Sequence, residues 1–136
     1  MKVSWNKWEG VYNKGSEAEI FYFAEIENLI KRLDQSTYDQ VILNGAKNYL
    51  LIGGGENQYI VTLVIGTDED FYSLVNKYKK DIEEDVEVVT GGQAGLFPKK
   101  IVVDYTSVIE ASHYYFENFD KNPNLLWINE SHNATN

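Results

Sequence analysis

Three apolar runs near the middle of the chain constrain its fold more than any other feature. They occupy residues 41–43, 49–52 and 59–65. Short runs of β-branched, aliphatic and aromatic residues bounded by turn residues are typical of strands. Asn44-Gly45 separates the first two runs, and Gly53, Gly54 and Gly55 precede the third. We therefore expect an antiparallel sheet in which the two runs beside the triple glycine pair as a hairpin.

Two amphipathic helices are predicted to accompany this sheet. An S-x-x-E capping pattern at Ser16 precedes apolar residues at helical spacing, which predicts a first helix at about 17–34. Asp104 is a suitable N-cap for a second helix at about 105–119, whose apolar residues again share one side. An Asn-Pro-Asn sequence then ends the pattern.

Weaker patterns complete the expected fold. Further strands are predicted at residues 2–6, 86–89, 101–103 and 125–128. Residues 71–80 fit either a helix or an edge strand. Gly91 and Gly92, like the triple glycine, are expected to form a turn whose backbone needs positive φ or close packing. The result is an α+β fold, a mostly antiparallel sheet under a single layer of helices, in one domain spanning 1–136 with a flexible tail at 130–136.

Length and cysteine content narrow the class of protein. A chain of 136 residues fits one domain that buries roughly two-thirds of its unfolded surface. It has no cysteine, so it has no disulfide framework, no thiolate nucleophile and no cysteine-based metal site. No apolar run approaches the ~20 residues that span a bilayer, and the N-terminus lacks a signal-peptide pattern. We expect a soluble, cytoplasmic protein.

The charge balance is the most unusual bulk property. Twenty-one acidic residues against 12 basic ones give a formal net charge of −9. Such a surface repels phosphates and anionic membranes and attracts basic partners. We therefore expect neither nucleic acid nor a membrane as a partner. Solubility alone is the simpler explanation of the acidity, and both interpretations stay open at this point.

The usual catalytic motifs are missing from the sequence. Neither glycine cluster has the Lys-Ser/Thr of a P-loop, and no G-x-S-x-G or S-x-x-K pattern occurs. His113 has Glu110 and Glu117 at helical spacing, which would supply part of a metal site or a general base. A surface histidine paired with glutamates is the more ordinary interpretation. We expect no catalytic activity, no metal and no cofactor.

The densest chemical feature is an acidic run with five carboxylates in seven residues. Its members are Asp81, Glu83, Glu84, Asp85 and Glu87. Charge runs are usually solvated loops, and three lysines at 77–80 neutralise part of this one. The functional alternative is a negative patch that docks against a basic cleft on a partner.

The order of features along the chain supports a family resemblance. The features are a strand with Trp5, a helix from Ser16, Leu51-Ile52-Gly53-Gly54-Gly55 before Tyr59-Ile60-Val61, Val88-Val89-Thr90-Gly91-Gly92-Gln93, Phe97-Pro98, a helix ending in Tyr115-Phe116, and Asn122-Pro123-Asn124-Leu125-Leu126-Trp127. This order resembles the Imm1 family of bacterial immunity proteins, which accompany polymorphic and contact-dependent toxins. The resemblance extends over residues 3–128, although the acidic run lies outside the family pattern.

The resemblance implies a function. It implies an α+β protein that binds a cognate toxin domain and blocks it without a cofactor. Toxins paired with this family are mostly similar to deaminases and nucleases, whose clefts must be basic to hold phosphates. The acidic run would then be the toxin-binding segment. A ligand-binding or sensory module with the glycine turns at a pocket rim, and an enzyme built around His113, are the alternatives.

Overall fold

The computed structural model describes residues 1–66 and 70–130. Its strands are Lys2–Trp5 (β1), Trp8–Glu9 (β2), Tyr12–Asn13 (β3), Ser16–Glu19 (β4), Gln40–Asn44 (β5), Asn48–Gly55 (β6), Gln58–Ile65 (β7), Asp70–Leu74 (β8), Asp85–Thr90 (β9), Gln93–Pro98 (β10) and Trp127–Asn129 (β11). Its helices are Phe23–Lys31 (α1) and Tyr105–Asn118 (α2), and a single 3₁₀ turn covers Lys99–Ile101.

Seven strands form one antiparallel sheet in the order β11-β8-β7-β6-β5-β1-β4. Its centre is the β6–β7 hairpin, in which Gly53 pairs with Ile60 and Gly55 with Gln58. The predicted pairing of the two runs beside the triple glycine is therefore confirmed. The remaining strands form two small hairpins, β2–β3 and β9–β10.

Both helices cover one face of the sheet. Ile26 and Ile30 of α1 and Val108, Ala111 and Tyr115 of α2 are buried in the same cluster as the inward side chains of the central strands. Both helices pack on β6, and α2 also packs on β7. The predicted α+β class, a mostly antiparallel sheet with helices packed on it, is confirmed.

The β9–β10 hairpin covers part of the other face. Tyr59 and Val61 of β7 belong to the helix-side core, so Ile60 between them points away from the helices. There it joins a second, smaller cluster with Val88 and Val102. The hairpin is thus held on the back of the sheet by a small apolar cluster of its own.

The first helix is shorter than predicted. Ser16–Glu19 is an edge strand, and α1 begins only at Phe23, without a side-chain cap. Ala18 and Ile20 point inward while Glu17 and Glu19 stay exposed, which is a period of two. Pairing with β1 decided the structure of this segment, since tertiary contacts override a local capping pattern. The prediction of a helix over 17–34 was wrong at both ends.

The second helix agrees with its prediction of 105–119. The Asp104 side chain accepts a hydrogen bond from the Ser107 amide (2.9 Å) and caps the first turn. The last turn ends at Phe119, whose φ of 58° is left-handed and whose amide still bonds the Tyr115 carbonyl.

The triple glycine is a strand end, not a turn. Gly53, Gly54 and Gly55 complete β6, and the turn follows at Glu56 and Asn57, both with positive φ. A Cβ would lie 2.2 Å from Thr90 Oγ1 at Gly53, 2.2 Å from the Gln58 carbonyl at Gly54 and 2.5 Å from the Leu33 carbonyl at Gly55. Close packing explains the glycines, and Gly54 and Gly55 also have positive φ. By contrast, Gly91 and Gly92 form the predicted turn, a two-residue connection between β9 and β10 with φ of 63° and 80°.

The structure also decides three smaller predictions, for residues 101–103, for residues 71–80 and for the C-terminal tail. Residues 101–103 are not a strand, because the 3₁₀ turn extends to Ile101 and only Val103 forms a bridge, to Tyr59. Residues 70–74 form a strand, β8, next to the terminal strand β11. Glu130 is not frayed, since its amide bonds the Phe71 carbonyl (2.9 Å). The rest of the expected flexible tail, 131–136, lies outside the described residues.

No helix in the described ranges has the length and apolarity needed to cross a membrane.

Candidate functional site

The acidic run lies in the loop before β9 and in the first half of that strand. Asp81, Glu83 and Glu84 precede β9 in a loop, and Asp85 and Glu87 belong to the strand itself. All five are exposed. Asp85 and Glu87 alternate with Val86 and Val88, which point into the back cluster, so their side chains leave the hairpin on its outer face.

Two of these carboxylates are already paired within the chain. Glu84 accepts from the Lys99 ammonium, and Glu83 lies 3.3 Å from Lys100 Nζ. The hydrogen bond from Lys99, with its charge, holds the pKa of Glu84 below the ordinary value. Among the residues with described positions, no ion pair is found for Asp81, Asp85 or Glu87. These three carboxylates carry the uncompensated charge of the surface.

The three lysines at 77–80 compensate less of the charge than the sequence suggested. Lys77 lies over the Tyr78 ring, 5.2 Å from its centroid. Lys79 acts on Glu84 only as a minor cause of its lowered pKa. The ion pairs are made instead by the two lysines of the 3₁₀ turn. The sequence did not indicate these pairs, because the lysines are far from the acidic run along the chain.

Asn76 holds the loop in front of the acidic run. Its amide donates to the Lys100 carbonyl (2.7 Å) and its side-chain amide to the Val102 carbonyl (3.1 Å). Its side-chain oxygen accepts from the Tyr78 amide (3.1 Å). At the other end of the loop, the Lys99 amide donates to the Glu84 carbonyl. The acidic run is therefore tied to the fold on both sides.

Apolar side chains accompany the carboxylates. Tyr78 is 83% exposed and Leu96 70% exposed, and Ile82 lies inside the run itself. Leu96 pairs directly with Glu87 across the β9–β10 hairpin. We call the five carboxylates with Tyr78, Ile82 and Leu96 the acidic face. Its mixture of exposed apolar groups and unpaired charges is typical of a protein-binding surface.

A fully buried carboxylate fixes the hairpin that carries this face. Asp39 Oδ2 accepts from the Gly92 amide (2.7 Å), and its Oδ1 accepts from Trp8 Nε1 and Asn6 Nδ2 (3.0 Å each). Gln35 adds a second connection, because its side-chain oxygen accepts from the Val89 amide (2.9 Å). The two bonds join the tip of the hairpin, at Gly92 and Val89, to the connection between α1 and β5.

Two adjoining clefts lie beside the acidic face. One, of about 310 Å³, lies between the loop at 74–79 and the start of α2. The other, of about 460 Å³, lies between the β6–β7 turn and the 3₁₀ turn. Asn76, Lys79 and Asp104 line both. Their lining mixes both signs of charge with neutral amides and has no concentrated catalytic group.

His113 lies in a different part of the molecule. Its ring stacks on Phe23 at 4.4 Å between centroids, and its Nε2 lies 2.9 Å from a Glu117 carboxylate oxygen. Glu110 instead lines the cleft at the start of α2. In residues 1–66 and 70–130, no cluster of three or more His, Asp or Glu side chains is arranged to hold a metal. The histidine thus joins the two helices and pairs with one glutamate.

Sequence reasoning missed Asp39, Gln35 and Leu96. Asp39 had no neighbour in the sequence that marked it, because its donors come from residues 6, 8 and 92. Leu96 was hidden because the glycines at 91–95 suggested a loop, whereas Gln93–Pro98 is a strand. Ile82 carried a usable signal, since an apolar residue inside a charge run is unexpected in a purely solvated loop.

No family model and no curated protein matches the chain. The resemblance to Imm1 immunity proteins therefore stays a prediction from the sequence.

Proposed function

We propose that the chain is an immunity protein that works in the bacterial cytoplasm by binding a cognate toxin domain and occluding its basic active-site cleft. The observation that carries this proposal is the acidic face. Three carboxylates with no ion pair among the described residues, and three exposed apolar side chains, belong to a loop and a hairpin that hydrogen bonds hold to the rest of the fold. The toxin would be a nucleic-acid-directed enzyme, such as a deaminase or a nuclease.

The charges of the acidic face suit a partner that itself binds phosphates. An enzyme that holds a nucleic-acid backbone concentrates Lys and Arg in its cleft. An acidic protein is steered toward such a cleft and associates at up to ~10⁸–10⁹ M⁻¹s⁻¹ at low salt. Rapid association matters for an inhibitor, because a free toxin acts until it is captured.

The apolar members of the face would supply the lasting contacts. Charge complementarity mainly raises association rates, whereas slow dissociation comes from desolvated anchors near the centre of an interface. Tyr78 and Leu96 are suitable anchors, since both are largely exposed and Leu96 lies opposite Glu87. Occlusion of this kind requires neither a cofactor nor a catalytic residue.

The direct test is co-expression with the toxin domain encoded next to this gene. We expect rescue of growth and a one-to-one complex by gel filtration. A toxin domain from an unrelated system is the control, because general acidity would act on both. Continued growth arrest together with separate elution of the two proteins would refute the proposal.

The paired clefts favour one second candidate, a small-ligand-binding module. Their volumes of about 310 and 460 Å³ fall in the range of ligand sites. Polar groups line much of both clefts, and Asn76 is already committed to hydrogen bonds of the loop. A thermal-shift screen with nucleotides and sugars tests this candidate, since a ligand that binds the folded state raises the melting temperature.

A further inference from the structure

The outer edge of β10 is an open strand edge. The Lys99 amide donates to the Glu84 carbonyl (2.8 Å), which identifies these two residues as a hydrogen-bonded pair of the hairpin. Such pairs recur at every second residue of an antiparallel ladder. The backbone amide and carbonyl of Gly95 therefore point toward β9, whereas those of Ala94 and Leu96 point away from it. Both of these residues are exposed.

The opposite edge of the hairpin is occupied near its tip. The Val89 amide, which also points away from its partner strand, donates to the Gln35 side chain (2.9 Å). Within the described part of the chain, no acceptor is found for the amides of Ala94 and Leu96. The hairpin thus exposes its β10 edge to solvent, while its β9 edge is held at Val89 by Gln35.

The open edge lacks the usual protection against strand addition. Natural edge strands carry charged side chains that discourage pairing with other chains. The edge strand β4 follows this rule with Glu17 and Glu19. The strand β10, Gln-Ala-Gly-Leu-Phe-Pro, has no charged residue, and only Pro98 limits its length. An exposed Leu96 on an unprotected edge is suited to receive another strand.

The neighbouring charges indicate which strand it would be. On the outer face of the hairpin, Glu87 lies opposite Leu96, and Asp85 lies opposite Pro98. A strand added beside β10 would lie about 10 Å from β9, a gap that a long basic side chain and a glutamate span together. A second copy of this chain would instead bring two acidic hairpins together, so like charges oppose self-pairing.

We propose that β10 docks an extended strand of the partner, with Lys or Arg on the side that faces Asp85 and Glu87. This inference rests on the proposed function, since it names how the toxin domain is held. Main-chain hydrogen bonds to Ala94 and Leu96 supply affinity, and the basic side chains supply specificity. The bond from the Gly92 amide to Asp39 fixes the hairpin beforehand, which lowers the entropic cost of docking.

The test compares Leu96→Pro with Leu96→Ala in complex with the toxin domain encoded next to the gene. Proline removes an amide that points outward, so the ladder to β9 keeps its hydrogen bonds, and alanine controls for the lost side chain. We expect proline to weaken binding at least about tenfold more than alanine does. Urea unfolding and circular dichroism of both variants verify that the hairpin remains folded.

Amide hydrogen exchange of the unaltered protein tests the same edge without a substitution. We expect exchange at Ala94 and Leu96 to slow when the complex forms, while exchange at Gly92 stays slow in both states. Unchanged exchange at Ala94 and Leu96 in a stable complex would overturn the edge proposal and leave the proposed function standing.

If no toxin complex forms, a peptide probe still decides the edge proposal. The probe is a short synthetic peptide of alternating Val and Lys, with Glu in place of Lys as the control. Saturable protection of Ala94 and Leu96 by the lysine peptide alone supports the proposal. No protection at roughly 1 mM peptide, or protection by self-association of the chain, overturns it.

Discussion

Tyr115 lies fully buried where α2 meets the β5–β6 connection, and its hydroxyl donates to the Asn48 side-chain oxygen at 2.6 Å. Burial raises the pKa of Tyr115 to about 12. An unfolded tyrosine has a pKa of about 10. The folded state therefore keeps a proton that the unfolded state loses, so this contribution to stability is complete below pH ~10 and disappears as the pH approaches ~12.

Replacing Tyr115 with Phe should show this linkage. We expect Tyr115→Phe to cost about 1 kcal/mol at pH 7 through the lost hydrogen bond. Between pH ~10 and ~12, the wild-type protein should lose stability more steeply than the variant, by at most ~1.4 kcal/mol per pH unit. Urea unfolding across this range measures both slopes. Tyr59 and Tyr105 also have raised pKa values, but they are common to both proteins. Parallel curves would contradict the prediction.

Asp39 provides a second test at the residue scale. Its carboxylate accepts from three donors in two segments of the chain, residues 6–8 and the hairpin tip. Asp39→Ala leaves those donors without their acceptor inside the protein, which should cost about 3 kcal/mol or more. Glu9→Ala, an exposed acid on β2, is the control and should change the free energy of unfolding by less than about 0.5 kcal/mol. Exchange of the Gly92 amide should accelerate in the Asp39 variant alone, and unchanged exchange there would refute the role of Asp39 in holding the hairpin.

At the scale of elements, the glycines of β6 lie in close contact with other parts of the chain, whereas a glycine in an open turn such as Gly10 does not. Gly54 has a φ of 103°, and a Cβ there would lie 2.2 Å from the Gln58 carbonyl. Gly10 has a φ of 64° and nothing within 4 Å of the same position. We expect Gly54→Ala to destabilise the protein by more than about 3 kcal/mol and Gly10→Ala by about 1 kcal/mol. Equal melting temperatures of the two variants would show that close contact with the β7 backbone is not the constraint.

Secondary structure was predicted correctly where the local sequence pattern agrees with the tertiary pairing. Residues 59–65 and the helix beginning after Asp104 carry one clear period each, and the structure has both. Ser16–Glu19 carries two patterns at once, a capping motif and a period of two. The partner strand β1, which no local window includes, decided between them.

Of the candidate site, the sequence predicted only the acidic residues. The acidic run is visible in the sequence, and all five of its carboxylates are exposed in the structure. Their pairing is not visible, because Lys99 and Lys100 are 15 and 17 residues away from Glu84 and Glu83. The hydrogen bonds to Asp39 join segments up to 53 residues apart. A survey of local motifs does not find groups that only the fold brings together.

At the scale of the whole molecule, the net charge of −9 and the position of its unpaired carboxylates act differently. Overall charge attracts any basic partner weakly, whereas a local cluster orients the encounter. Substitution of Asp81, Asp85 and Glu87 with their amides removes three negative charges from the acidic face. Substitution of Glu9, Glu17 and Glu19 removes the same charge from β2 and the edge strand β4. Comparing the two variants separates the effect of where the charges lie from the effect of net charge.

We expect the acidic-face variant to associate with the toxin domain about tenfold more slowly at low ionic strength, and the β2–β4 variant no more than about twofold more slowly. The difference should shrink as salt is added, because the Debye length falls to ~8 Å at physiological ionic strength. Stopped-flow association at several salt concentrations measures both effects. Dissociation should change little for either variant if, as we propose, apolar anchors such as Tyr78 and Leu96 set that rate. Equal slowing by the two variants would mean that net charge alone steers the encounter, and the acidic face would then have no special role in recognition.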